Sequence, residues 1–130
     1  MREVKNHLRR DARLETIVFK PVLAKSVPFG YCLLEQFHIA RAMAEGARQL
    51  TRSTYALSVT GIAGPDGGTP DKPVGTVCFA LAAADIVHRR RYQLWGNREW
   101  VKLLSSQVAL DWLRRHLLGL SPTESGILRR

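Results

Sequence analysis

Apolar and polar positions recur along this chain with two different periods, and each change of period marks an element. From Ile39 to Leu50 the apolar residues Ile39, Ala40, Met43, Ala44, Ala47 and Leu50 return at three- and four-residue steps, which predicts a helix with one buried stripe. Tyr55 to Val59 alternates large and small side chains and runs into Gly61, as a strand ending in a loop would. Val74 to Ala83 is apolar with little interruption, so it is expected to be a strand covered on both faces, at the centre of a sheet. Ala84-Asp85 can turn the chain, and the more polar Ile86 to Leu94 reads as an antiparallel partner strand.

Asn97 is placed to cap a second helix, with Glu99 in its first turn and Arg114, Arg115 and His116 in its last, both favourable to the helix dipole. Val101, Leu104, Val108 and Trp112 give it one core-facing side over about 20 residues, roughly 30 Å, and Gly119 stops it. The tail, 121–130, is expected to fray. Between Arg9 and Phe37 Pro21 and Pro28 interrupt both periods, leaving Thr16 to Phe19 and Val22-Leu23 as short strands. This divides the chain into a divergent segment 1–38, a core 39–120 and the tail.

With 130 residues, 45% apolar and 24% charged, the chain fits one globular domain, and no apolar run approaches the roughly 20 residues of a membrane helix. A soluble protein, with no membrane partner, is the expectation. Cys32 and Cys78 are too few and too far apart for a disulfide framework, which points to a reducing, cytoplasmic setting. His7, His38, His88 and His116 show no ligand spacing, so no metal site is expected. The net charge of +9 would attract polyanions, but the basic residues are scattered and match no recognition motif. Nucleic acid is therefore an unlikely partner. In the run Arg89-Arg90-Arg91, alternation along a strand turns Arg90 away from its neighbours, as suits a solvated edge strand.

The segment from Gly61 to Gly75 concentrates half of the ten glycines and three of the six prolines between two apolar runs. Glycine serves where the backbone must turn sharply or approach a ligand, and proline where a turn must be stiff. The bland reading is a tight connection between strands. The functional one is an anion cradle: backbone amides around Gly61, Gly64, Gly67 and Gly68, with Thr60, Thr69 and Lys72 as further donors. Arg98 opposes the dipole at a helix start, which suits a phosphate or carboxylate partner there. No G-x-x-x-x-G-K-[ST] phosphate loop is present.

The run ALSVTGIAGPDGGTPDKPVGTVCFAL at 56–81 closely resembles the signature of the competence-damage protein (CinA) C-terminal domain family. ARAMAEGARQL at 40–50 is similar to the family helix before that strand, and Gly96-Asn97-Arg98-Glu99-Trp100-Val101 to the start of its last helix. The resemblance covers about residues 39–118. It implies an α/β fold, a three-layer α/β/α sandwich on a mixed sheet, and an activity that many members share: hydrolysis of nicotinamide mononucleotide to nicotinate mononucleotide and ammonia. The implied ligand is a small phosphate-bearing pyridine nucleotide, and no cofactor is implied.

Family members also begin with a strand and helix carrying a T-A-E-S-C-T-G-G-like segment whose serine is taken as the nucleophile, then a Y-S-N-E-[AV]-K-like segment supplying tyrosine and lysine. The first is not in this sequence, and of the second Glu3-Val4-Lys5 remains, which makes Lys5 the counterpart of the family lysine and leaves the tyrosine without one. The chain thus reads as truncated or altered at its amino end. Amide hydrolysis needs an activated nucleophile, and losing it commonly removes several orders of magnitude of rate. The expectation is an impaired member of an amidase family, or a module that binds a nucleotide or phosphate without chemistry. A sheet short of its first strand would leave an edge to cover, which predicts a homo-oligomer.

Overall fold

A computed structural model describes residues 33–128. The short strands expected at 16–19 and 22–23, and Lys5, lie outside the described residues. In chain order the elements are α1 (Leu33–Thr51), β1 (Ala56–Gly61), β2 (Thr76–Ala82), β3 (Val87–Gln93) and α2 (Arg98–Leu117). The strands form one sheet in the order β1-β2-β3. β2 is central, as its apolar run requires, and every one of its residues is buried. Both neighbours pair with it antiparallel, Ser58 opposite Ala80 and Phe79 opposite Arg90. The parallel pairing that a mixed sheet also needs is not among the described residues.

Alternation along β2 divides the core in two. Leu57, Val77, Phe79 and Leu81 point to the side covered by α2, where they meet Val101, Leu104, Val108 and Trp112. The Phe79 ring packs against those of Tyr92 and Trp112, with centroids 5.5 and 5.8 Å away. On the other face Cys78, Ala80 and Ala82 lie under Ala40 and Ala44 of α1. Alanines facing alanines let this helix lie close to the sheet. The Ser58 hydroxyl fits the same contact, donating to the Ala40 carbonyl at 2.5 Å, so Ser58 is a packing residue.

Three details differ from expectation. Helix α1 starts at Leu33, ahead of Ile39, and only Ala40 and Ala44 of the anticipated stripe are fully buried. Ile39 is exposed and Leu50 is 86% exposed, because both lie roughly 100° or more around the helix from the Ala40–Ala44 line that faces the sheet. The tail does not fray as far as Leu128: 122–124 and 126–128 form 3₁₀ turns, and Pro122 is buried.

Polar contacts hold that tail. The carbonyl of Thr123 accepts from Tyr92 Oη at 2.9 Å and from Arg90 Nη1 at 2.7 Å. Ser125 Oγ donates to Asp111 Oδ2 at 2.6 Å, while Arg114 Nε and Nη2 donate to Asp111 Oδ1 at 2.9 and 2.7 Å. Burial alone pushes the Asp111 carboxyl up, but the Ser125 hydroxyl and the Arg114 guanidinium outweigh it and hold it below its ordinary value.

A carboxyl whose folded value is depressed stabilises the fold above its unfolded value, near 3.8, and loses that contribution as pH falls through the folded value. Thermal melts between pH 6 and pH 2 should therefore show a loss of stability below about pH 4 that is smaller in Asp111→Asn. Phe79→Ala removes the largest side chain of the central strand; chemical denaturation should report a loss of about 3–5 kcal/mol.

Candidate functional site

The glycine-rich segment is the connection 62–75 between β1 and β2. Because that pair is antiparallel, the loop spans the carboxyl end of one strand and the amino end of the next, and is not a crossover at a switch of strand order. Its two ends are tied together. The Ile62 amide donates to the Thr76 carbonyl at 2.9 Å and the Gly75 amide to the Ile62 carbonyl at 2.6 Å. The Gly75 carbonyl in turn accepts from Leu94 N–H at 2.7 Å, and Gln93 Nε2 donates to the Val74 carbonyl at 2.7 Å, so β3 braces the loop from the side.

Two glycines are required by this geometry. Gly64 is buried with φ +85°, and a Cβ there would lie 2.5 Å from Val74 Cγ1. Gly75 has φ +92°, and a Cβ there would run into the Leu94 carbonyl. Any other residue would add steric overlap to an unfavourable left-handed backbone.

The predicted site residues separate into small groups around the end of the sheet. Arg98, at the first turn of α2, donates from Nη1 to the Gly64 carbonyl at 3.0 Å. Its guanidinium therefore has a backbone partner that fixes the loop, and a guanidinium carries further N–H donors besides. Thr69 and Lys72 close a small turn: Thr69 N–H donates to the Lys72 carbonyl at 2.9 Å, and Lys72 N–H reaches both the Thr69 carbonyl and Oγ1 at 3.1 Å. Thr60 and Gly61 end β1, opposite Cys78 and Val77. Gly67 and Gly68 lie in the stretch from Pro65 to Asp71, all of it exposed.

Among the described residues, the amides of Asp66, Gly67 and Gly68 donate to no protein acceptor. A loop tied at its base, with bare amides at its tip, presents donors to solvent or to an anion. A cleft among the described residues lies at the opposite end of β2, lined by Arg41, Glu45 and Arg48 of α1 and by Ala82 to Val87.

Arg91 is the residue that sequence reasoning set aside. In the register it stands across from Cys78, which stands across from Thr60, so all three share the α1 face of the sheet. Burial pushes the Cys78 thiol up, and the charges of Arg91 and Lys72 pull it partly back. Arg91 stands beside Cys78 in the register and the Lys72 charge acts on the same thiol, while Arg98 reaches the loop from α2. The alternation that splits Arg90 from Arg89 and Arg91 was the available signal: Arg90 does face the other way, over the Tyr92 ring at 5.4 Å.

A three-stranded antiparallel sheet with a helix on each face and a braced glycine loop at one end defines an α/β domain of recognisable type. The CinA C-terminal domain family description matches residues 36–117, and the chain belongs to that family. A CinA-like protein of Geotalea uraniireducens is 55% identical over 86 residues, covering 66% of this chain and 20% of the relative. One from Citrifermentans bemidjiense is 56% identical over 80 residues, covering 62% and 19%. Among solved structures, the competence/damage inducible protein CihA of Agrobacterium tumefaciens superposes with a TM-score of 0.57 at 37% identity, over 60% of this chain and 48% of that one. The CinA superfamily protein of Enterobacter cloacae gives a TM-score of 0.59 at 26% identity, over 62% and 48%. The chain therefore spans about a fifth of the curated relatives and about half of the structural ones. Among the described residues no helix is long and apolar enough to cross a membrane.

Arg98 ties the loop to α2 through one charge-assisted hydrogen bond, a contact that contributes about 1.5–3 kcal/mol. Arg98→Ala should raise the exchange rates of the loop amides roughly tenfold or more in hydrogen-exchange measurements, while amides of β2 keep their protection.

Proposed function

We propose that the glycine loop binds a small phosphate-bearing pyridine nucleotide, and that these residues bind it without hydrolysing nicotinamide mononucleotide at an enzyme's rate. The observation that carries the reading is the loop itself: a pinned base, amides at Asp66, Gly67 and Gly68 that donate to no acceptor among the described residues, and the arginines Arg91 and Arg98 on the strand and helix beside it. A phosphate would sit against the amides, with Lys72 and Arg91 supplying charge from the α1 side and Arg98 from the α2 side. Family membership favours the nicotinamide mononucleotide class of ligand, and the resemblance already described supplies the substrate.

Binding and hydrolysis separate on chemical grounds. Backbone amides and arginines can stabilise an anion, whereas attack on an amide needs a nucleophile with a base in hydrogen-bond reach. Ser58, inside the described core, donates to the Ala40 carbonyl and is buried, so it is not available as a substitute. The nucleophile segment of the family does not occur in the 130 residues.

Titration calorimetry with nicotinamide mononucleotide should give saturable binding that weakens about tenfold or more in Lys72→Ala and Arg91→Ala, each removing a charge-assisted contact. Ammonia release should stay at background. Absence of saturable heat with the fold intact would refute the binding reading, and enzymatic ammonia release would refute the claim that these 130 residues bind without hydrolysing.

A further inference from the structure

Two histidines far apart in sequence meet at the end of the sheet away from the glycine loop. His88 stands opposite Leu81 in the register, and Leu81 belongs to the core under α2, so His88 shares that face. Tyr55 lies two residues before Leu57 of the same cluster and packs against it, as alternation along a strand requires. His116 reaches both rings from the last turn of α2. The ring centres of His88 and His116 are 5.4 Å apart with their planes at 66°, and Tyr55 meets His116 at 5.3 Å and 75°. All three rings are half-buried, and each is placed by a different part of the fold.

That spacing has a chemical meaning. Imidazole nitrogens bind zinc at about 2.0–2.1 Å, so two rings sharing one tetrahedral ion hold their centres roughly 5.2 Å apart. The His88–His116 pair already stands close to this separation. The carboxyl end of a helix carries partial negative charge, which favours a cation beside His116. Neighbouring guanidinium groups are turned elsewhere: Arg89 stands opposite Ala80 on the α1 face, Arg90 donates to the Thr123 carbonyl, and Arg115 Nε donates to the Ser121 carbonyl. Imidazole suits zinc, nickel and copper, whereas magnesium and calcium prefer oxygen. We infer that His88 and His116 together bind one divalent transition-metal ion of the zinc, nickel or copper class, which ties the start of β3 to the end of α2. Half-exposure of the rings leaves the other coordination positions to water. A site with two protein ligands binds more weakly than the closed four-ligand sites of structural zinc. The spacing of the histidines in sequence suggests no such site, because a pair drawn from a strand and a helix leaves no short motif.

The full chain, stripped with a chelator, should melt at a higher temperature as zinc chloride is added, since an ion that binds only the folded state stabilises it; magnesium chloride should have no such effect. His88→Gln and His116→Gln should each weaken zinc binding at least tenfold in titration calorimetry, while a chain carrying both His7→Gln and His38→Gln keeps it. One copper ion per chain, loaded into that double variant, should show coupling to two imidazole nitrogens in electron paramagnetic resonance, a readout that does not depend on either single variant folding. Zinc that binds His88→Gln or His116→Gln as tightly as the parent chain overturns the site. So does copper coupled to fewer than two imidazole nitrogens, or a melting temperature unmoved by zinc up to about 1 mM, either of which leaves the two rings as packing alone.

Discussion

The complete burial of β2 is the constraint on which the rest depends. A strand with seven buried residues has no face to give to water, so something apolar must lie on each side of it. The two sides are met differently. On one, the large residues Phe79 and Leu81 need a deep layer, and α2 supplies Trp112 and Val108. On the other, Cys78, Ala80 and Ala82 leave room only for a close helix, and α1 answers with Ala40 and Ala44. With both faces occupied, any ligand must meet the domain at an end of the sheet or at its loops.

The glycine loop sits at one such end, and its order follows from the same strand. Its closing hydrogen bonds involve Thr76, the first residue of β2, and Leu94, just after β3, so the loop base inherits the rigidity of the sheet. Arg98 adds a second fixed point from α2, through a carbonyl on a glycine whose φ of +85° turns the chain toward it. Among the described residues the tip, from Pro65 to Asp71, is shaped by the Thr69–Lys72 turn. Stiff ends with a lightly held tip suit a loop that closes over an anion, since little backbone entropy remains to be lost at the base.

Much of the fold was legible because burial writes itself into residue type. The uninterrupted run at 77–81 could only be central, the polar run at 87–93 could only be an outer strand, and Asn97 does cap α2 by accepting from Trp100 N–H. Periodicity drew the buried stripe too wide: it marked Ile39 and Leu50 as core, although only the line through Ala40 and Ala44 meets the sheet and both of the larger residues stand to one side of it, exposed. The tail was illegible for another reason. Its anchors are a carbonyl at Thr123 and the Ser125–Asp111 pair, and neither leaves a hydrophobic pattern. In the site, the braced glycines were readable from composition, whereas Arg91 needed the register to place it with Thr60 and Cys78.

The loop and the core meet at the first turn of α2. Arg98 donates to the Gly64 carbonyl there, while Asn97, one residue earlier, caps the helix by accepting from Trp100 N–H. The same helix buries Val101, Leu104, Val108 and Trp112 against Phe79 and Leu81. A helix held along its length by the core has little freedom left at its start, so the arginine reaches the loop from a fixed base. The position of the glycine loop is thus set from two directions, by the sheet through Thr76 and Leu94 and by the helix through Arg98, and both trace back to the burial of β2.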